Sequence, residues 1–389
     1  LSEAGTTGFV QFDLFHSIGR IDTVRPRLND EGVFRAFLRQ AQLADSLGFG
    51  TLWVAESHFS SEVQKSGPSP VIPHYQGEVG LNADSPQLAH VVLNQTKRIG
   101  FGTAIYNIVG GNGGPVAAAD RIRSLAFLNS LRDDARDLHV GVASGRFPYI
   151  NRPFGILPRS DVEAAHWQIV SRLILVEAVE IFLRLSLGEA IGSADLTQVP
   201  DTPGFEYRRR WEFDRLKLVP ELPDIARHVR FVLGSADPMV RDKALQFADC
   251  DIFNLSFTPP AQIEGIHREM FARYEQAGRL WHRARLPRTV LVFVDPDSRR
   301  AQEMASSCFD TYIEAMRGTV AVPDKNVLLE RALIGSPDEI REQLTPGARH
   351  GFHAEDRLML WFEFNQGDSR AVESQMKLFA EKVMPDFAH

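Results

Sequence analysis

Short apolar segments alternate with longer amphipathic ones from one end of the chain to the other. The short runs, rich in Val, Ile, Leu and Phe, read as strands buried on both faces and fall at residues 9–15, 51–56, 99–107, 138–144, 229–234, 251–257, 289–294 and 358–364. The segments between them, among them 33–47, 87–95, 116–131 and 161–187, carry apolar residues three and four apart and read as helices. Ser85-Pro86, Gly114-Pro115, Asp237-Pro238 and Ser336-Pro337 each put Pro in a first helical turn, where its missing N–H costs nothing. Eight strand–helix units in series predict an α/β fold, a single (β/α)8 TIM barrel occupying residues 1–389.

Three connections exceed what such a barrel needs. Residues 60–84, after the second strand, contain Pro68, Pro70, Pro73, Gly77 and Gly80; leaving the C-terminal end of a strand, they are expected to form a lid over the barrel mouth. Residues 189–223, after the fourth, contain Phe205-Glu-Tyr207 and Trp211-Glu-Phe213 around Arg208-Arg-Arg210, which suggests a β-hairpin with a solvated basic face. Residues 318–335, after the seventh, show no pattern.

Composition narrows the class. With 44% hydrophobic and 24% charged residues the chain has enough apolar surface for a large core. Its longest apolar stretch, residues 167–182, is broken by Ser171, Arg172, Glu177 and Glu180 and reads as a buried helix, so no membrane span is expected. The formal net charge of -7 argues against a nucleic-acid partner. Cys250 and Cys308 are too far apart for a metal-ligand motif and suit a reducing compartment; the start of the chain has no apolar signal core, and a cytoplasmic protein without metal or disulfide is expected.

Candidate chemistry gathers at the strand ends. The second strand ends Leu52-Trp-Val-Ala-Glu-Ser-His-Phe59, releasing a carboxylate, a hydroxyl and an imidazole together, a set that handles protons. The third runs Ile99-Gly-Phe-Gly-Thr-Ala-Ile-Tyr-Asn107 into Gly110-Gly-Asn-Gly-Gly-Pro115, a glycine-rich helix start that is either an anion cradle or a flexible turn. The fourth, Leu138-His-Val-Gly-Val-Ala-Ser-Gly-Arg-Phe147, brings out small residues with Arg146, which suits a flat ring beside an anionic tail. The fifth ends Phe231-Val-Leu-Gly-Ser-Ala-Asp-Pro238 and passes straight into a helix, where a phosphate can sit on free amides or Ser235 and Asp237 can act as caps.

Five separated stretches, 52–59, 102–105, 141–155, 232–237 and the chain end with Phe362-Glu-Phe-Asn-Gln-Gly367 and Met376-Lys-Leu-Phe-Ala-Glu-Lys-Val-Met-Pro385, resemble in order the bacterial luciferase family of flavin-dependent monooxygenases, as does Gly335-Ser-Pro-Asp-Glu339. The resemblance implies a flavin at the C-terminal mouth, with Glu56, the Ala104–Ile105 peptide in the cis form, Ala143, Ser144 and Arg146 around the ring and ribityl chain, and Gly234 and Ser235 at the phosphate. It implies reduced FMN from a separate reductase, reacting with O2 to a C4a-hydroperoxide that oxygenates a small apolar substrate by hydroxylation or Baeyer–Villiger insertion, in a homodimer. Phe12, Tyr106 and Phe257 are the expected substrate wall.

Two departures stand out. The family's α chains commonly carry Glu-His-His-Phe after the second strand, with the first His important for catalysis, whereas this chain has Glu56-Ser57-His58-Phe59, so His58 and Ser57 become the candidates for proton transfer and hydrogen bonding. An Arg that the family uses near the phosphate falls at about Asp161, leaving Arg159 or Arg146 to replace it. The rival readings are a deazaflavin (F420)-dependent oxidoreductase of the same superfamily and a non-catalytic flavin-binding partner subunit.

Overall fold

The computed structural model describes residues 11–67, 69–199, 206–235, 237–254, 257–319 and 322–387. Its main strands are β1 Gln11–His16, β2 Thr51–Val54, β3 Gly100–Asn107, β4 Leu138–Ala143, β5 Val229–Leu233, β6 Cys250–Ile252, β7 Arg288–Val294, β8 Leu333–Gly335 and β9 Arg357–Trp361. The main helices are α1 Asp30–Leu47, α2 Ser85–Gln95, α3 Pro115–Ser130, α4 Trp167–Ser186, α5 Pro238–Leu245, α6 Pro260–Gln276, α7 Ser298–Ala315, α8 Pro337–Leu344 and α9 Ser369–Lys382. All eight expected strands are present, though Phe9 and Val10 of the first and Leu255 and Ser256 of the sixth lie outside the described residues. The chain divides into two compact units, one of residues 1–53, 61–79 and 253–389, the other of residues 54–60 and 80–252.

In the first unit the strand order is β8-β7-β9-β1-β2, with parallel pairing of β8 to β7, β7 to β9 and β9 to β1. Asp13 ties three of these strands together: its carboxylate accepts from the Thr51 amide at 2.9 Å, Trp53 Nε1 at 2.7 Å and Arg357 Nε at 2.5 Å. The ion pair survives burial because the remaining lone pairs of Asp13 are also hydrogen-bonded. A core cluster of Phe293, Ala301, Ala305, Phe309 and Phe364 seats α7 on β7. The patternless connection 318–335 contains a short helix, Lys325–Arg331, and β8 itself, whose three residues are too few for a periodic signal. The 60–84 connection is stitched down rather than loose: Gly77–Glu78 pairs antiparallel with Arg20–Ile21, and Ser61 donates from N and Oγ to Glu78. Pro68 lies outside the described residues.

In the second unit the order is β3-β4-β5-β6, all parallel. The β3–β4 register shifts between Thr103 and Tyr106, across the Ala104–Ile105 peptide, which is cis as expected. Gly141 on β4 faces the Thr103 carbonyl so closely that a side chain would overlap it. The helix expected at 161–187 is broken at His166 into Asp161–Ala165 and α4.

The hairpin expected in 189–223 is absent among the described residues, with Phe205 outside them; a single antiparallel bridge, Ile191 to Leu216, remains. Buried carboxylates of α4 hold this segment instead. Glu177 accepts from Tyr207 OH at 2.6 Å and from the Arg210 amide at 3.1 Å, and Glu180 accepts from the Thr197 amide at 2.9 Å. Burial holds the Glu177 carboxyl above its ordinary range, against the pull of these donors. Nor is Arg208-Arg-Arg210 a solvated face: Arg208 is exposed, but the Arg210 guanidinium is buried 2.6 Å from Glu163.

Candidate active site

The second unit brings the polar end of β2 together with the loops after β3 and β4. Glu56 is the centre. Its Oε2 accepts from Ser85 Oγ at 2.7 Å and the Ser85 amide at 3.2 Å; Ser85 opens α2, where an amide has no partner within the helix. Its Oε1 accepts from Asn112 Nδ2 at 2.6 Å and the Asn107 amide at 3.3 Å, and lies 3.1 Å from His58 Nε2. A carboxylate only accepts, so Nε2 is the ring nitrogen that carries a proton toward Glu56. Ser57 is oriented by its amide, which donates to the Asn82 carbonyl at 2.9 Å.

The glycine-rich run after β3 serves this pair. A side-chain carbon on Gly111 would stand 2.6 Å from His58 Cδ2 and 2.7 Å from Nε2, so only glycine lets the loop close on the imidazole. The Val109 and Gly110 amides donate inward to Asn107 Oδ1, at 2.9 and 3.2 Å, and Gly113 donates to the Gly110 carbonyl at 2.7 Å. The loop is packed rather than a flexible turn, with the Gly110 and Gly113 amides engaged within it. Asn107 Nδ2 reaches Asn151 Oδ1 at 2.8 Å, and Asn151 Nδ2 reaches the Ser144 carbonyl at 2.6 Å, which links the β3 and β4 exits.

Beside this network lies a floor of small residues. Ile105, Ala143, Ser144, Gly234 and Ser235 are each partly exposed at the ends of β3, β4 and β5, and Ala104 is buried just behind. A side chain on Gly234 would run into Ile105 and crowd Ala143 Cβ at 3.2 Å, so these residues meet with no bulk between them.

Residues 20–354 match the model of the luciferase-like monooxygenases. The chain belongs to that family. No curated protein sequence matches it. Among solved structures it is similar to monooxygenase RslO1 from Streptomyces bottropensis, at 20% identity over 97% of this chain and 100% of that one, TM-score 0.73. It is also similar to the oxygenating constituent of 3,6-diketocamphane monooxygenase from Pseudomonas putida, a type II Baeyer–Villiger monooxygenase in complex with FMN, at 16% identity over 97% and 99% of the two chains, TM-score 0.63. An F420-dependent secondary alcohol dehydrogenase in complex with an F420-acetone adduct shares 16% identity over 98% and 100%, TM-score 0.59. At these identities the likeness is one of fold.

In this luciferase-like monooxygenase the candidate cationic groups fall in different settings. Arg159 donates to the Arg209 carbonyl at 2.8 Å and so is engaged with the 189–223 segment. Arg146 is exposed, its guanidinium 5.6 Å from the Phe147 ring centre. Arg172, which in the sequence reads only as a break in an apolar stretch, pairs at 2.5 Å with Asp237, two residues beyond Ser235. Asp237 caps α5 through the Met239 amide at 2.9 Å and donates its own amide to Ser235 Oγ at 3.2 Å, while Ala236 lies outside the described residues.

The three expected wall residues fall in different settings. Tyr106 is fully buried in the second unit, where burial and then the nearby Glu56 charge push its phenol well above the ordinary range. Phe12, in the first unit, is 4% exposed and packs edge-on against Phe379, so its ring is taken up by core contacts. Phe257 packs on Tyr312 at the margin of the α7 cluster. Among the described residues no group of His, Cys, Asp and Glu could hold a metal ion, and no helix is long and apolar enough to cross a membrane.

Proposed function

We propose that the protein is an FMN-dependent monooxygenase on a (β/α)8 barrel, taking reduced FMN from a separate flavin reductase and using O2 to oxygenate a small apolar organic substrate by hydroxylation or Baeyer–Villiger insertion. The observation that carries this reading is the buried Glu56–His58 pair beside a partly open floor of small residues. The floor fits a flat ring because Gly234, Ala143 and Ile105 present no side chain larger than Ile to it. Ser235, Arg172 and Arg146 are the groups that would hold a phosphate.

When bound, reduced FMN supplies the two electrons that activate O2. The chain's own residues do the rest. Glu56 fixes the imidazole of His58 with Nε2 protonated, leaving Nδ1 to take or return a proton. The Ser57 hydroxyl adds a short hydrogen-bonding group beside it. The Glu56 side chain, His58 and Ser57 are buried, and the exclusion of water strengthens both interactions. A homodimer in the cytoplasm completes the proposal.

The deciding experiment mixes the full chain anaerobically with photoreduced FMN, then admits O2 and an apolar ketone. Saturable binding of reduced FMN and an oxygenated product are expected; no binding of reduced FMN would sink the reading. Because a fold neighbour is F420-dependent, reduced F420 is titrated in parallel, and selective binding of F420 would replace oxygenation by hydride transfer.

A further inference from the structure

Immediately after His58 the backbone of Phe59 enters the left-handed region, with φ 64°. Bulky residues rarely adopt that conformation, and where they do the strain points to a local task. Here it leaves the Phe59 ring 51% exposed instead of folding it into the core. That ring does not stand alone. Phe154, 43% exposed, faces it with ring centres 6.1 Å apart and planes inclined by 31°.

Phe154 is placed by independent means. It ends the turn Arg152–Phe154, and Gly155 then takes φ 78° while its amide donates to the Arg152 carbonyl at 3.0 Å, which turns the chain away and leaves the ring outside. Leu157, three residues further along the chain, is 45% exposed. Single exposed apolar side chains are ordinary; two aromatic rings in contact, one on a strained backbone and adjoining a buried carboxylate–imidazole pair, form a binding surface.

We propose that Phe59 and Phe154 are a specificity-determining aromatic platform that selects substrates carrying a flat aromatic ring. Two phenyl rings in contact, tilted by 31° to each other, can be extended by a third, offset-stacked or edge-on at a centroid distance of about 4.5–7 Å. A saturated ring system of the same size removes a comparable apolar area from water but has neither the flat face nor the quadrupole, so it gains only the area term. The proposal rests on the oxygenase reading only in taking this surface as the substrate's side of the site, and the ligand titrations that test it use no flavin.

The test is isothermal titration of the full chain with naphthol and with its saturated counterpart decahydronaphthol, repeated on Phe59→Leu and Phe154→Leu, which keep apolar bulk and remove the ring. Naphthol should bind about tenfold more tightly than decahydronaphthol to the unmodified chain, and each substitution should bring the two ligands within about twofold. Reduced-FMN binding, followed anaerobically by the change in flavin absorbance, should not change in either variant. Equal affinity for the two ligands in the unmodified chain, or a preference that survives both substitutions, would overturn the platform. A chain that fails to bind reduced FMN yet prefers naphthol in a Phe59-dependent way would keep the platform and remove the flavin reading.

Discussion

His58 Nε2 stands 3.1 Å from Oε1 of Glu56, a carboxylate whose side chain has no solvent exposure at all. Four other donors, from Ser85, Asn107 and Asn112, converge on the same group. A buried carboxylate so fully satisfied is a fixed acceptor, and the imidazole it orients is better placed for proton transfer than the neighbouring hydroxyl. His58→Gln is therefore expected to lower the single-turnover oxygenation rate by about 10²-fold or more, and Ser57→Ala by less than about tenfold. If the serine variant loses as much as the histidine variant, the role assigned to His58 is wrong.

Glycine at position 111 is a separate handle on the same imidazole. Gly111→Ala inserts a methyl 2.6 Å from His58 Cδ2, closer than carbon atoms approach without displacement. The ring must move off Glu56 or the loop must open. Overpacking of this kind costs about 1–3 kcal/mol, so the variant should fold with a modestly lower urea midpoint while losing most of its turnover. Full activity would show that the contact tolerates the methyl and that His58 is not clamped.

How far the site was legible in the sequence depends on what each residue touches. Glu56, Ser57 and His58 announced themselves because three proton-handling groups left one strand together. Asn107, Asn112 and Asn151 did not: Asn112, between two glycines, reads as a turn, and nothing local to any of the three amides says that its partner lies on another segment. Arg172 reads in the sequence only as a break in an apolar stretch, since a helix pattern records which face is buried and not what the odd charge reaches. Strands with several Val, Ile or Leu were visible through their composition, whereas β8, three residues long, carries no period to detect. The hairpin expected around Arg208 failed for a related reason: aromatic and polar residues alternate there because Glu177 and Glu163 select them, not because a ladder does.

That selection gives a stability prediction. The Arg210 guanidinium and the Glu163 carboxylate are 1% and 6% exposed and 2.6 Å apart, and against the cost of burial the Arg159 amide and then the Arg210 guanidinium hold Glu163 below its ordinary range. Removing one partner strands the other. Arg210→Met should destabilise the protein by about 3–5 kcal/mol in urea unfolding, and the double variant Arg210→Met with Glu163→Leu should recover much of that loss. A single variant that unfolds at the unmodified midpoint would mean that the pair contributes nothing.

Acid stability should be set largely in the first unit by two buried histidines. His267 accepts from Trp281 Nε1 at 3.2 Å through Nδ1, and His350 Nε2 stands 3.1 Å from the Ala332 carbonyl. Burial pushes both down from 6.5 to about 4, reinforced by the Arg283 charge at His267 and by Arg349 and Arg288 at His350. The folded state therefore keeps both neutral where the unfolded chain has already taken up its protons. Between pH 6.5 and about 4 the unfolded state binds more protons, so stability falls as the pH falls; above 6.5 the contribution is complete and flat. Each histidine can account for at most about 3 kcal/mol of that acid loss. His267→Gln keeps an acceptor for Trp281 and His350→Gln a donor for Ala332, so each variant should show a shallower decline of the urea midpoint from pH 7 to pH 4. Identical slopes in the variants and the unmodified protein would show that other groups govern acid unfolding.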